Sequence, residues 1–331
     1  MTRRDFLRLA LAATVAPAAG CGGGDGMSAT SGIARRRLGR TGEAVTVVGL
    51  GGWHMGRPEL SEEESVRIVR AGIDAGITFL DNCWDYNGGE SERRMGLALQ
   101  GGYRDRVFLM SKFDGRTREA AARQIDESLR RLGTDRIDLM QVHEVIHAED
   151  PERSFREGGC IEALVEARRA GKVRFVGFTG HKSPRLHLAM LDAADAHGFR
   201  FDTVQMPLNV LDAHYDSFEK QVLPRLVEQE TGVLAMKPMA DGRIAKAGVA
   251  SAEECLRYAM SLPVATVITG CDSVERVEQA ARVARGFRPM AEAEVSALLA
   301  RTEERARNGA IERYKVAEDH DGTTQNPVWL G

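Results

Sequence analysis

Asp81, Tyr86, Lys112 and His143 are of the right types, and fall at the right places in this 331-residue chain, to move a proton and polarise a carbonyl. A tyrosine hydroxyl, with a reference pKa of ~10, serves as a general acid near neutral pH when an ammonium lies close and a carboxylate keeps that ammonium charged. Tyr86, Lys112 and Asp81 supply those three parts. A neutral His143 beside the phenol can orient a carbonyl oxygen and help polarise it. The set lacks a source of electrons, so carbonyl reduction by it requires a bound hydride donor.

The elements that must position these residues are legible from residue 44 onward. Runs with strand character are AVTVVGL (44–50), ITFL (77–80), VFLM (107–110), IDLMQV (137–142), VRFVGF (173–178), TVQM (203–206), GVLAM (232–236) and TVIT (266–269). Segments of helical period separate them, with capping signals at Ser61 and Glu64, Ser251 and Glu254, and Asp272 and Glu275. Ala121, Ile125, Leu129 and Leu132 recur on one helical face. Eight strand-helix units predict an α/β fold, a (β/α)8 TIM barrel, since each right-handed crossover returns to a parallel neighbour. Gly39 to Gly42 reads as the turn of an N-terminal hairpin at the barrel bottom, and 291–308 as a C-terminal helix. The polar tail after it, ending NPVWLG, packs on the barrel in this reading. Chemistry in such a fold sits where strands end. Asp81, Lys112, His143 and Thr179 follow four successive strand runs, and Gln205 lies within the next. A lone ionisable residue at a strand end is usually a solvated cap; several at successive ends converge on one mouth.

Other function classes find little support. Lys plus Arg number 45 against 48 for Asp plus Glu, with no long block of either sign, which argues against nucleic acid as a partner. No Gly-x-Gly-x-x-Gly follows a strand and no Walker-type motif occurs. The cysteines at 21, 83, 160, 255 and 271 include no Cys-x-x-Cys pair, so the spacing encodes no metal site. His143-Glu144-Val145-Ile146-His147 spells H-E-x-x-H, which on a helix binds zinc, with Glu162 or Glu166 as a third ligand. That zinc-hydrolase alternative fits its setting poorly: the motif follows a strand run directly, contains Val145 and Ile146, and meets Pro151 shortly afterwards.

The first residues carry Arg3-Arg4, Phe6-Leu7 and an uncharged run from Leu9 to Ala19. The run is too short for the ~20 residues of a spanning helix and reads as a signal peptide. The RRxFL pattern resembles a twin-arginine export signal, implying the twin-arginine machinery as a partner and folding before export. Ala-Ala-Gly-Cys at 18–21 resembles a lipoprotein cleavage box, with Ala18 where Leu is usual. The mature protein is then either periplasmic or held to the outer side of the cytoplasmic membrane through lipid on Cys21. This gives a signal segment over 1–21, a flexible linker over 22–33, the barrel over 34–290 and the C-terminal helix and tail over 291–331.

LDNCWDYNGGESE (80–92), LMSKF and DLMQVH together resemble the aldo-keto reductase signature, and the resemblance runs from about Arg36 to Ala284. It implies a (β/α)8 barrel with NADP(H) extended over its mouth. It further implies reversible hydride transfer between nicotinamide and a carbonyl or alcohol, with Tyr86 as general acid/base and Lys112, Asp81 and His143 completing the catalytic set. A nucleotide-binding scaffold of this family without turnover is the second reading, since fold alone does not fix function.

By the same resemblance, Gln205 holds the nicotinamide carboxamide, but Thr179-Gly180 stands where Ser-Asn is usual, and Met236 where an aromatic ring usually stacks. Lys237 reaches a phosphate or forms a plain salt bridge. The segment ITGCDSVERVEQA resembles the grip on the adenosine 2′-phosphate, bringing in Gly270, Ser273 and Arg276 at a helix N-terminus and favouring NADP(H) over NAD(H). Gly51 and Gly52 pass close to the nicotinamide or serve a turn. The substrate pocket is lined by Trp53, as selector or rim residue, with Trp84 and Asp85. Asp85 hydrogen-bonds a polyhydroxylated or cationic substrate, or points to solvent. Export would separate such an enzyme from cytoplasmic NADPH, which calls for slowly dissociating nucleotide.

Overall fold

The computed structural model describes residues 32–331. The twin-arginine segment, the Cys21 box and nearly all of the linker fall outside the described residues. A short antiparallel hairpin, β1 (Arg35–Arg37) and β2 (Ala44–Thr46), opens the chain around the turn at Gly39–Thr41. Eight parallel strands then close into a barrel: β3 (Val48–Gly51), β4 (Phe79–Asp81), β5 (Phe108–Phe113), β6 (Ile137–Val142), β7 (Val173–Thr179), β8 (Thr203–Pro207), β9 (Gly232–Met236) and β10 (Thr266–Gly270). Each neighbours the next, and β10 returns to β3 with Val267 opposite Val48.

The apolar run at 44–50 is two strands rather than one. Its first half pairs backward with β1, the chain turns at Val47, and the second half joins the barrel. The Thr46 hydroxyl donates to the Val48 carbonyl at 2.8 Å across that turn. Two of the three sequence-read caps hold: Ser61 accepts from the Glu64 amide, and Ser251 with Glu254 forms a full capping box. The third shifts by one residue, because Ser273, not Asp272, caps the helix Val274–Arg285 by accepting from the Arg276 amide.

The two-residue strand period divides the barrel interior into an apolar bottom and a polar top. Phe79, Phe108, Met110, Leu139, Phe175, Leu234 and Ile268 fill the lower interior together with Leu38 and Val45 from the hairpin region. The Phe79 and Phe108 rings stack at 5.4 Å, and Phe108 and Phe175 at 6.2 Å. Two residues beyond Phe79 on the same face is Asp81; two beyond Met110 is Lys112; two beyond Leu234 is Met236. A second, larger core lies between the barrel wall and the helices around it.

After the helix Glu292–Ala306 the tail runs back over the strand ends. Lys315, fully buried, anchors it by donating to Asp212 at 2.7 Å, to the Tyr215 carbonyl at 2.8 Å and to Glu312 at 3.1 Å. Farther on, the Leu330 carbonyl accepts from the Arg116 amide at 2.8 Å. No helix among the described residues is long and apolar enough to cross a membrane.

Candidate active site

The segment after β4 sets the tyrosine. Asn87, Gly88 and Gly89 take positive φ in succession, a turn that two glycines and an asparagine adopt at little cost, and the helix Glu90–Ala98 starts immediately after. The Asn87 amide donates to the Trp53 carbonyl at 2.7 Å, tying this turn to the loop after β3. Gly52 must lack a side chain for another reason: a Cβ there would lie 2.7 Å from the Asp81 carbonyl oxygen.

Lys112 sits at the centre of the site, fully buried. Its ammonium has three hydrogens, and three acceptors meet it: Asp81 Oδ1, the Asn82 carbonyl at 2.8 Å and the Tyr86 hydroxyl oxygen at 3.2 Å. The other Asp81 oxygen accepts from the Gln205 amide at 2.9 Å. Since the phenolic oxygen accepts from Lys112, the phenol's own proton is left for another partner. Burial, then the Asp81 carboxylate, push the Tyr86 phenol well above its ordinary value, so it holds its proton until a strongly basic oxygen approaches.

His143 lies just past β6, its loop clamped by the fully buried Arg116. That guanidinium donates to the carbonyls of Asp114, His143 and Glu144 at 2.6, 2.7 and 2.9 Å, and to Asp150 at 2.9 Å. The His143 ring meets Tyr86 edge to face at 5.9 Å. Its Nδ1 is 2.9 Å from Asp114 Oδ1, 3.2 Å from the Cys83 sulfur and 3.6 Å from Asp85 Oδ1. Burial lowers the His143 pKa against the pull of Asp85 and Glu144. Burial, then its carboxylate neighbours, raise Asp85 to about 7 and Asp114 to about 8. A protonated Asp114 donates to Nδ1 and leaves the imidazole proton on Nε2, the arrangement that can donate to a carbonyl oxygen.

A cavity of about 560 Å³ opens above these groups at the strand ends. It is lined by Tyr86, Lys112, Asp81 and His143, and also by Gly51, Gly52, Trp53, Asp85, Thr179, Met236, Lys237 and Gly270. The larger groove of about 690 Å³, between Leu188 and Gln229, lies away from all of them and is lined by none. Trp53 stands on the rim, 47% exposed, under the Arg57 guanidinium. The Thr179 hydroxyl faces the Met236 sulfur at 3.9 Å. The Lys237 ammonium rests over the Tyr314 ring at 5.2 Å, 3.7 Å from Asp241.

One expectation needs revision. Trp84 does not line the cavity: its indole donates to Glu127 at 2.6 Å and its ring packs edge to face on Trp329 of the tail. Asp85 lines the cavity, as the sequence reading expected, while its Oδ1 is turned inward, buried beside His143 without a hydrogen-bond partner. The H-E-x-x-H segment is not helical; Glu144 has φ +47°, its carboxylate accepts from the Gly322 and Thr323 amides, and His147 pairs with Thr323. The two histidines of the motif therefore share no helix face, and a zinc-hydrolase site is not formed there.

Gln205 sits behind Asp81 rather than on the cavity wall, with its Oε1 buried and without a partner. Ser273 and Arg276 lie beyond the cavity edge at the helix N-terminus, three and six residues past Gly270, and the Arg276 guanidinium contacts Gln279 at 3.2 Å. The sequence reading missed the tail's part in the wall. His320 donates to or accepts from Asp241 at 2.9 Å, and Asp321 bonds His181 at 3.0 Å and Lys182 at 2.6 Å. Burial works against an ionised Asp241, but Lys237 and His320 hold it well below the usual carboxylate range. The run Asp319-His320-Asp321 was a signal that could have pointed there.

Residues 47–252 match the model of the aldo/keto reductase family. An aldo-keto reductase of Alternaria alternata is 27% identical over 253 residues, which is 64% of this chain and 66% of that protein, so the match spans just under two thirds of its length. An aldo-keto reductase of Bacillus halodurans in its holo form superposes with a TM-score of 0.69 at 23% identity, over 83% of this chain and 100% of that one. One from Klebsiella pneumoniae, in complex with NADP and acetate, superposes with a TM-score of 0.63 at 26% identity, over 77% and 90%. With the family model matched over more than half its length, the chain belongs to the aldo/keto reductase family.

Proposed function

We propose that the protein is an NAD(P)H-dependent oxidoreductase acting on a carbonyl or alcohol, with Tyr86 as general acid/base. The observation that carries this reading is the saturated Lys112 ammonium, which joins Asp81 to Tyr86 at the floor of the cavity. When bound, the dinucleotide supplies the hydride. Tyr86 gives its proton to the substrate oxygen as negative charge develops there, and Lys112 stabilises the phenolate left behind. Asp81 holds Lys112, Gln205 holds Asp81, and His143 orients the substrate oxygen. The same steps run backward for alcohol oxidation. A scaffold without turnover would have no use for this contact set.

Residues at and beside the cavity mouth fit the cofactor. Gln205 Oε1 is buried without a partner beside Asp81, off the cavity wall, an acceptor that a carboxamide NH₂ would complete if the bound cofactor reached past Asp81. Ser273 and Arg276 at a helix N-terminus suit a 2′-phosphate, which supports NADP(H) over NAD(H). The bound NADP of the Klebsiella relative supports the same reading.

Export by the twin-arginine route, with residence in the periplasm or at the membrane through Cys21, rests on the N-terminal motif alone. An enzyme outside the cytoplasm would need to retain its nucleotide, and the His320–Asp241 contact, joining the tail to the loop after β9 at the cavity wall, supports slow release.

The test is a fluorescence titration with NADPH and NADH, followed by turnover with a panel of aldehydes and ketones. Saturable binding with carbonyl-dependent oxidation of the nucleotide is expected, with NADPH bound more tightly and Arg276→Ala erasing the difference. A folded protein that binds neither nucleotide would overturn the reading.

A further inference from the structure

Behind the proton-transfer set lies a cluster that shares His143 with it and whose other three members the reduction does not use. Cys83 and Asp85 come from the loop after β4, Asp114 from the residue after β5 and His143 from the residue after β6. One donor atom from each lies within 4.8 Å of every other. Cys83 and Asp114 have no exposed surface. Asp114 Oδ2 and Asp85 Oδ1 are buried without any hydrogen-bond partner. The nearby cations do not compensate them. Lys112 is spent on Asp81, Asn82 and Tyr86. Arg116 is spent on the Asp150 carboxylate and on three backbone carbonyls, one of them that of Asp114 itself. Buried carboxylate oxygens left without a donor are costly while ionised, and a bound cation would satisfy both carboxylates at once.

We propose that Cys83, Asp85, Asp114 and His143 Nδ1 bind a divalent transition-metal ion, zinc by their donor types. Zinc bonds of ~2.0–2.3 Å to nitrogen, oxygen and sulfur place the corners of a tetrahedron ~3.3–3.8 Å apart. The separations from His143 Nδ1 are 2.9 Å to Asp114 Oδ1, 3.2 Å to Cys83 Sγ and 3.6 Å to Asp85 Oδ1, so small side-chain shifts make room for the ion. A thiolate and an imidazole select zinc over magnesium or calcium, which take all-oxygen shells. Binding releases the Cys83 thiol proton together with the protons held by Asp85 and Asp114, and three anionic donors with a neutral imidazole leave one net negative charge on the site. Asp85 and His143 line the cavity, which gives the ion a way in.

Four protein ligands leave no position for a metal-bound water, so the site is not hydrolytic. Its effect falls on His143. An imidazole that ligates through Nδ1 keeps its remaining proton on Nε2, where it can donate to a substrate oxygen. The metal is thus a positioning group: it takes the place of the Asp114 proton on Nδ1 and keeps the same tautomer.

The test uses purified protein, stripped with a chelator and titrated with Co²⁺ in the absence of nucleotide and substrate, so its outcome is independent of the reductase reading. One equivalent per chain is expected, with the intense visible bands of tetrahedral cobalt and a near-ultraviolet thiolate-to-cobalt band, both removed by added Zn²⁺. Cys83→Ser should abolish the thiolate band, and Asp114→Asn should weaken binding at least about tenfold. The band in unaltered protein already demands a thiolate, so failure of either variant to fold leaves the test intact. No cobalt spectrum in a protein shown folded by circular dichroism would overturn the proposal. So would a spectrum unchanged by Cys83→Ser.

Discussion

The Lys112 ammonium lies 3.2 Å from the Tyr86 hydroxyl oxygen and 4.7 Å from the centre of the same ring, so one cation addresses both the phenolic oxygen and the π face. Both contacts strengthen as negative charge grows on the phenol, which makes them larger in the transition state than at rest. Tyr86→Phe removes the proton donor and nothing that holds nucleotide. Hydride transfer in a single turnover should fall by about 10²–10⁴-fold while nucleotide affinity stays within about twofold. Equal loss of both would contradict the role assigned to Tyr86. Lys112→Met should cost a comparable factor in rate.

Gln205 spends its amide nitrogen on Asp81 and leaves its oxygen without a partner. If that oxygen accepts from the nicotinamide carboxamide, Gln205→Leu should raise the NADPH dissociation constant about tenfold, the worth of one hydrogen bond to a buried group. The same variant should bind 2′-phospho-ADP-ribose, which lacks the nicotinamide, as the parent does. Calorimetry with the two ligands separates the outcomes, and equal weakening of both would place the effect in the barrel rather than at the carboxamide.

The contact between His320 and Asp241 joins the C-terminal tail to the loop after β9 beside the cavity. Both side chains are partly exposed, which limits the pair to roughly 0.2–1 kcal/mol. His320→Ala should accelerate NADP(H) release about two- to fivefold in a stopped-flow chase, with little change in the association rate. Asp241→Ala should do the same, and the double variant should add almost nothing to either single one. Additive effects would show that the two residues act separately.

The barrel was legible because its strands alternate and its helices carry their caps in sequence, as at Ser61 and Ser251. The break at Val47 was not, since the β-branched run continues unchanged through it and only the hydrogen-bonding partner switches. Asp81, Lys112 and His143 were legible as strand ends, and Tyr86 by its spacing of five from Asp81. Trp84 was misplaced because it stands in a loop, where no periodicity says which way a side chain faces, and its partner Trp329 comes from the far end of the chain. Asp114 was a missed opportunity. It follows Lys112 by two residues, and the strand's period, carried one step past Phe113, puts it near the same mouth. That Cys83 and His143 would meet it depends on how three loops fold together, which spacing does not encode.

His187 offers a check on the scaffold under the site. It is fully buried against Phe178 and Phe218, at 5.1 and 4.9 Å between ring centres, and its Nε2 is 3.3 Å from the Gln205 carbonyl on β8. Burial lowers its pKa from 6.5 to about 4. The unfolded chain therefore takes up a proton below pH ~6.5 that the folded chain refuses until about pH 4, so this group lowers stability as pH falls through that window and has no further effect below it. The shift corresponds to about 3 kcal/mol. His187→Gln keeps a donor within reach of the Gln205 carbonyl and cannot titrate. Its urea-unfolding free energy should fall between pH 7 and pH 4 by about 3 kcal/mol less than that of the parent. Parallel curves for the two proteins would mean that His187 is protonated within the folded core, and that β8 tolerates a charge directly behind the residue that holds Asp81.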